Sequence, residues 1–205
     1  ISVLPKLVWH YNEPFSDSSA LPSYYVAQMT RKHVTVALNG DGGDESFAGY
    51  DRYMVWKAAS LYNLIPSPLK LVTTTLLQTC LEPAQTKSLC NQLKKFVSVA
   101  DLPMRIQYLT LLRTFQKKHF NSLLTGAYRV NEDVVNQFIH TEFEKVKTDT
   151  PLLQMQYVDI KRYLPDDLLV KMDIAAMANS LEARSPYLDH KFMEFAAQIP
   201  PELKM

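Results

Sequence analysis

Residues 34–50 read VTVALNGDGGDESFAGY, and this stretch predicts a strand, a glycine-rich turn and a helix in that order. The short apolar, β-branched run Val34–Leu38 is typical of a strand buried on both faces of a parallel sheet, and we expect its neighbours before Ile1. Four of the chain's five glycines fall within residues 40–49. Since ligands bind beyond the carboxyl ends of strands in open parallel sheets, the turn is a candidate binding site.

Three carboxylates, those of Asp41, Asp44 and Glu45, crowd this turn. The sequence contains neither a Gly-Lys-Ser/Thr phosphate loop nor GxGxxG. Phosphate would be repelled by the carboxylates unless a cation lay between them, and Mg²⁺ prefers one or two carboxylates together with phosphate oxygens. The turn therefore predicts a magnesium–nucleotide site. The alternative is structural, because acidic residues at a helix start stabilise its N-terminus and glycines permit a tight turn.

Most of the remaining sequence has helical periodicity, so the predicted fold class is α/β with helices predominating. Apolar residues recur at three- and four-residue steps on one stripe over 44–61. A helix is expected to start at Asn131, where Asn-Glu-Asp is an N-cap signature. Further helices are predicted over 151–164, from Pro165 onward, and over the segments 20–32, 66–79 and 85–99.

Composition and charge exclude several classes of protein. The 205 residues are 47% apolar and carry a formal net charge of +1, so no basic excess favours nucleic acid or an anionic membrane. No apolar run approaches the ~18 residues of a membrane span. Cys80 and Cys90 do not have zinc-site spacing and are too few for a disulfide framework, which predicts reduced thiols and a cytoplasmic protein. Because the sequence starts at Ile1, we expect a piece of a longer chain.

The glycine-acid stretch is part of a wider resemblance. Four blocks resemble motifs of the glutamine-hydrolysing asparagine synthetase family and follow the order of those motifs. They are residues 9–19 (WHYNEPFSDSS), 39–53 (NGDGGDESFAGYDRY), 163–173 (YLPDDLLVKMD) and 177–190 (MANSLEARSPYLDH). With their separations, these blocks cover nearly the whole chain.

This resemblance implies a fold, a reaction and partners. Residues 1–205 would be part of the C-terminal synthetase (ATP-pyrophosphatase) domain, with an adenine-nucleotide α-hydrolase-like fold. The family adenylates the side-chain carboxylate of aspartate with ATP and Mg²⁺, and ammonia from an N-terminal glutaminase domain then displaces AMP. Neither that domain nor the SGG-x-DS pyrophosphate loop is in this sequence. We therefore expect the isolated chain to be inactive, and a homodimer is left open.

The resemblance also implies roles for single residues. Carried over by position, Asn39 and Gly40 would contact ATP, and Asp41 would assist formation of the acyl-adenylate. Asp44 would bind Mg²⁺, Glu45 would support the site nearby, and Tyr50 would face the pocket.

Other polar residues of the matching blocks are candidates for the substrate pocket. Lys171 is interpreted either as an internal partner of Asp173 or as a pocket residue. In extended chain, Glu182 and Arg184 share one face, which predicts a buried ion pair that shapes the pocket or, for Arg184, a contact to the α-carboxylate of aspartate. Ser18-Ser19 is expected to cap the following helix.

The sequence departs from the family's motifs at several positions. Asn39 stands for Ser, Asn12 for Asp, and Ile174 for the Arg found in many members. Ala48 stands for Gly, which predicts ordinary helical dihedral angles there. Two alternatives stay open: a related amidotransferase or β-lactam-type synthetase that acts on another carboxylate, and a helical interaction module that has lost the chemistry.

Overall fold

The computed structural model describes residues 2–71, 89–113, 124–126 and 132–205, which are mostly helical. The chain divides into two units, Ile1–Gly49 with Gln156–Met205 and, between them, Tyr50–Met155. The principal helices are α1 (Leu4–Tyr11), α2 (Ala20–Thr30), α3 (Gly43–Phe47), α4 (Asp51–Tyr62), α5 (Leu89–Ala100), α6 (Met104–Leu112), α7 (Glu132–Glu144), α8 (Pro151–Val158), α9 (Val170–Met177), α10 (His190–Gln198) and α11 (Pro201–Lys204). None of the described helices is both long and apolar enough to cross a membrane.

The sheet of the first unit has two parallel strands, β1 (Val36–Leu38) and β2 (Glu182–Arg184). Ala37 lies opposite Ala183 in the register. The predicted strand and its parallel pairing are confirmed. The neighbours of β1 were expected before Ile1, but its partner β2 comes from the matching block 177–190, far downstream.

Burial of the strand on both faces was the wrong expectation. Val36 is 41% exposed and Leu38 is 73% exposed. The side chains that alternate with them, Ala37 and Ala183, pack on a small cluster formed by Ala27, Ala176 and Leu181. Because successive side chains of a strand point to opposite faces, α2 and α9 cover one face of the ladder, and the exposed pair lies on the other.

The larger core of the first unit lies where α9 crosses α1 and α2. Its buried members are Val3, Leu7, Tyr11, Ala20, Tyr24 and Ala175, with Phe15, Leu21, Val170, Ile174 and Ala178 packed against them. The rings of Tyr11 and Phe15 stack with centroids 4.4 Å apart. The matching block 163–173, which ends in α9, is thereby fixed against the matching block 9–19.

One continuous helical stretch leads from α8 through a π-helical segment, Asp159–Leu169, into α9. The prediction that one helix ends at Leu164 and another starts at Pro165 is therefore wrong, because Pro165 lies inside the π-helical segment. In an α-helix the ring of an interior proline clashes with the carbonyl four residues back. The wider π turn displaces that carbonyl, so the chain continues through Pro165 without a break.

The predicted helix over 44–61 is two helices, α3 and α4. Ala48 has φ 59° and ψ 39°, in the left-handed region, so the expectation of helical dihedral angles there is also wrong. The N–H of Gly49 donates to the carbonyl of Asp44 at 3.0 Å, which closes the end of α3. The apolar periodicity continues across this break, which is why the sequence pattern did not reveal it.

Among its described residues, the second unit contains α4 to α7 and the first part of α8. Tyr108 on α6 packs edge-on against Phe143 on α7, with ring centroids 5.3 Å apart, and both are buried. Helix α7 is described from Glu132 onward, and Asn131, where its start is predicted, lies outside the described residues. Cys80 also lies outside the described residues, whereas Cys90 is a half-buried thiol on α5.

Replacing Ala48 by glycine is expected to raise the free energy of unfolding by about 1 kcal/mol, because a left-handed backbone costs alanine more than glycine. Ala197, exposed inside α10, provides the matched control, and Ala197→Gly is expected to lower stability by about 1 kcal/mol. Chemical unfolding measures both. A loss of stability in Ala48→Gly would contradict the assigned backbone conformation.

Candidate functional site

The glycine-acid loop, residues 39–42, leads from the end of β1 into α3 and lies against the 3-10 turn Pro186–Leu188. Gly42 has φ +91°, and a Cβ there would overlap the side chain of Leu188. The corresponding position at Gly43 is 3.6 Å from the ring of Tyr187. Gly42 is needed because its φ is positive and residues of the matching block 177–190 pack directly on the loop, whereas a Cβ at Gly43 would make an ordinary contact with Tyr187.

Three aromatic rings hold α3 in place. Phe47 packs against Tyr187 and Phe192, with centroids 6.3 Å and 5.8 Å away. Tyr187 and Phe192 are themselves 5.5 Å apart. Apolar ring contacts therefore fix the acidic helix against the turn Pro186–Leu188 and α10.

The two adjacent acids of α3 have different environments. Asp44 is exposed, and a Cβ at Gly49 would overlap its carboxylate in this rotamer, so glycine leaves room for the carboxylate. Glu45 is 1% exposed. The buried amide of Gln156 donates to the carbonyls of Glu45 and Ser46 at 2.7 Å and 3.1 Å. Asp44 is thus accessible to a ligand, whereas Glu45 lies behind the loop.

Asp41 is half-buried at the start of the loop. The side-chain amide of Asn39 donates to its carboxylate at 2.8 Å. Burial raises the pKa of Asp41 above its ordinary value, while the charge of Lys171 and the bond from Asn39 act in the opposite direction. The predicted catalytic acid is therefore one whose ionisation depends on its neighbours.

Lys171 pairs with Asp17 and not with Asp173, which is exposed, so the interpretation of an internal Lys171–Asp173 pair is wrong. The Lys171 ammonium lies 2.7 Å from Oδ2 of Asp17, and both side chains are mostly buried. Burial alone would raise the pKa of Asp17, but bonds from Lys171 and Ser19 outweigh it and the pKa lies below its ordinary value.

Ser19 does not cap α2 with its side chain as predicted. Its N–H and hydroxyl both donate to Oδ1 of Asp17, at 2.8 Å and 2.7 Å. The other carboxylate oxygen of Asp17, Oδ2, accepts from Lys171. Ser19 was expected to cap a helix with its side chain but instead orients the carboxylate of Asp17.

Two further residues complete the surroundings of Lys171. The hydroxyl of Tyr11 donates to the Lys171 carbonyl at 3.0 Å, and burial together with the charges of Asp17 and Asp167 raises the pKa of Tyr11 to about 12. The pKa of Asp167 is raised by burial and by the charge of Asp17, and Lys171 opposes this. One ammonium therefore balances three carboxylates, those of Asp17, Asp41 and Asp167.

Glu182 and Arg184 form the expected ion pair on one face of β2, with Nε and Oε1 2.7 Å apart. The pair is not buried, since the side chains of Arg184 and Glu182 are 65% and 52% exposed. The reason is the open face of the two-stranded ladder, on which both side chains lie opposite Leu38 and Val36. Such an exposed pair contributes little to stability.

The remaining predicted site residues are Gly40 and Tyr50. Gly40 is exposed, with no atom within 4 Å of the position that a Cβ would take. Tyr50 begins the second unit and precedes α4, with the guanidinium of Arg52 3.7 Å from its ring centroid. That Tyr50 faces the ligand pocket stays a prediction.

Sequence reasoning did not identify Asp17, Asp167 and Tyr11 as neighbours of Lys171. All three lie inside the matching blocks, which was the only available signal. A cavity of about 750 Å³, lined by residues 4–21 and mostly apolar, borders Asp17 and Tyr11. Within the described parts of the chain, no three His, Cys, Asp or Glu side chains are grouped closely enough to hold a metal without other ligands.

Replacing Lys171 by methionine is expected to lower the free energy of unfolding by about 2 kcal/mol at pH 7, because three partly buried carboxylates lose their cation. The loss should shrink toward pH 4. Without the ammonium the pKa of each carboxyl rises, so the folded variant takes up protons as the pH falls and regains stability relative to wild type.

Lys191→Met is the control, since Lys191 is an exposed lysine in the first turn of α10, and we expect a loss below about 1 kcal/mol. Urea unfolding at several pH values measures both variants. A loss for Lys171→Met that is equal at pH 4 and pH 7 would contradict the charge balance described above.

Comparison with known proteins identifies the family. The family described as asparagine synthase matches residues 1–205. The chain is 36% identical, over 98% of its length, to glutamine-hydrolyzing asparagine synthetase 1 of Bacillus subtilis. It is 31% identical over its whole length to a putative glutamine-hydrolyzing asparagine synthetase of Mycobacterium tuberculosis, and 25% identical over 97% to amidase chyE of Penicillium rubens.

The chain spans only 30%, 30% and 31% of these three relatives, respectively. No solved structure matches it. The family match nevertheless extends from the first residue to the last and includes the loop, the Lys171 cluster and the β2 segment. The chain belongs to the asparagine synthase family.

Proposed function

We propose that the chain is part of the synthetase domain of a longer, ATP-dependent amidotransferase that converts aspartate to asparagine. The side-chain carboxylate of aspartate attacks the α-phosphorus of ATP, the aspartyl-adenylate forms and pyrophosphate leaves. Ammonia then attacks the activated carbonyl and AMP leaves. The names of the Bacillus and Mycobacterium relatives support this reaction, as does the acidic glycine loop at the end of a parallel strand.

The rest of the enzyme follows from the same proposal. A separate N-terminal glutaminase domain supplies ammonia, and a pyrophosphate loop outside these 205 residues completes an adenine-nucleotide α-hydrolase-like fold. On this account the 205 residues alone do not catalyse adenylation, because they hold only part of the phosphate site. We place the enzyme in the cytoplasm.

The loop residues suit ATP and Mg²⁺. The exposed carboxylate of Asp44, backed by Gly49, offers oxygen donors of the kind that Mg²⁺ takes together with phosphate oxygens. Mg²⁺ bound there would neutralise charge on the departing pyrophosphate. Gly40 is open enough for close approach of the nucleotide, and Asn39 places its backbone at the strand end.

The other candidates act around this centre. Half-buried Asp41 contacts the reacting groups and assists formation of the acyl-adenylate, and Tyr50 forms part of the pocket. Buried Glu45 supports the loop from behind. The exposed guanidinium of Arg184, oriented by Glu182, is available to the α-carboxylate of aspartate. Lys171 is already bonded to Asp17, so its contribution is to keep the surrounding acids ionised.

One observation carries the proposal: the loop and the first turn of α3 present a half-buried acid, Asp41, and an exposed acid, Asp44, three residues apart after the carboxyl end of a parallel strand. Helix capping alone would explain acids in the first turn of α3. It would not explain Asp41, which precedes the helix and is held by Asn39.

In the full-length protein, Asp44→Ala is expected to abolish aspartate-dependent pyrophosphate release and to spare glutaminase activity, because only the magnesium ligand is lost. Asp149→Ala, at an exposed acid in a loop of the other unit, is the control and should keep both activities. A coupled pyrophosphate assay with and without aspartate measures the effect. Unchanged release in Asp44→Ala would refute the magnesium assignment.

A second candidate function is amidation of another carboxylate. The match to a relative named as an amidase favours it, and so does Ile174, which packs into the apolar core where many family members carry arginine. Pyrophosphate release measured with a panel of carboxylic acids distinguishes the two. Strict dependence on aspartate supports asparagine synthesis, whereas release only with another acid supports the alternative.

A further inference from the structure

The first residues beyond the two strands meet across the ladder. Leu38 lies opposite Arg184 in the register, and the N–H of Asn39 donates to the Arg184 carbonyl at 2.8 Å. Asn39 and Ser185 are therefore the next pair along, and the hydroxyl of Ser185 donates to Oδ1 of Asn39. This bond joins residues 146 positions apart at the point where the acidic loop begins.

The amide of Asn39 has a second partner on its other side, because Nδ2 donates to Oδ2 of Asp41 at 2.8 Å. An ionised carboxylate accepts hydrogen bonds only, so the NH₂ end of the amide must face Asp41. The carbonyl end then faces Ser185, whose hydroxyl supplies the hydrogen. The Ser185 hydroxyl thus anchors the carbonyl end of the amide, and the NH₂ end of the amide anchors the carboxylate.

Asp41 is the acid for which this chain of bonds has a consequence. It is half-buried, which favours the neutral form, and Lys171 is the charged group that opposes this. The ammonium of Lys171 is itself bonded to Asp17 at 2.7 Å. The hydrogen bond from the Asn39 amide is therefore a direct contact to the Asp41 carboxylate. It favours the ionised form and orients the carboxylate group.

We propose that Ser185 is a positioning residue: through the Asn39 amide, it holds the Asp41 carboxylate in one rotamer and in its ionised form. The kinetic consequence rests on the proposed function, whereas the arrangement itself does not. Asn39 stands where the resembling motif has serine, so this chain of bonds depends on a side chain that departs from the motif.

Crystal structures of the full-length protein test the arrangement without reference to activity. In Ser185→Ala and in Asn39→Ser, Asp41 is expected to leave its rotamer, whereas Ser185→Thr retains a hydroxyl and should keep it. Ser60→Ala, which removes an exposed hydroxyl bonded to the Lys57 carbonyl in the other unit, is the control. An unchanged Asp41 rotamer in Ser185→Ala overturns the proposal.

The pH profile of pyrophosphate release tests the consequence. Ser185→Ala is expected to lower kcat about tenfold and to move the acid limb upward by about one pH unit, because the ionised form of Asp41 loses its support. KM for ATP should stay within about twofold of wild type, and Ser185→Thr should restore the profile. A moved rotamer with an unmoved acid limb overturns the proposal.

The two proposals fail differently. If the wild-type protein releases no pyrophosphate with any carboxylate, the proposed function fails, and the crystal structures still decide whether Ser185 sets the Asp41 rotamer. If wild type is active and Ser185→Ala keeps both rotamer and profile, only the positioning role fails.

Discussion

The parallel pairing of β1 with β2 is the interaction on which the rest of the first unit depends. Beyond the paired residues, the N–H of Glu182 donates to the Thr35 carbonyl at 2.9 Å and the N–H of Asn39 donates to the Arg184 carbonyl at 2.8 Å. Pairing the two strands closes a chain segment that runs from Leu38 to Glu182. Closing so long a segment costs conformational entropy, which apolar packing around α9 offsets. The pairing places the acidic loop against the turn after β2, where Gly42 and Leu188 are in contact.

Charge balance is the second constraint. Lys171 is the ammonium shared by Asp17, Asp41 and Asp167, which come from three separated segments of the chain. Bringing three acids together without a cation would raise their pKa values and cost stability. Because Lys171 lies in the first turn of α9, the packing of that helix sets the position of the ammonium. That position in turn affects the pKa of Asp41 in the loop.

The sequence predicted local elements well and partnerships poorly. The strand, the acidic loop and α2 follow from short-range patterns. The pairing of β1 with β2, the Lys171–Asp17 bond and the Ser185–Asn39 bond join residues more than a hundred positions apart, which periodicity does not encode. The left-handed Ala48 was missed because its apolar neighbours continue a helical stripe. Pro165 was read as a helix start because the π-helical alternative has no clear sequence signal.

The most direct test of the account follows the oxygen atoms of the substrate. The full-length protein is supplied with ATP, magnesium, ammonia and aspartate labelled with ¹⁸O in its side-chain carboxylate, and the AMP is analysed by mass spectrometry. If the acidic loop serves an adenylation site, each AMP carries one ¹⁸O, because the carboxylate oxygen bonded to phosphorus leaves with it. Unlabelled AMP, or label in inorganic phosphate, would contradict the account.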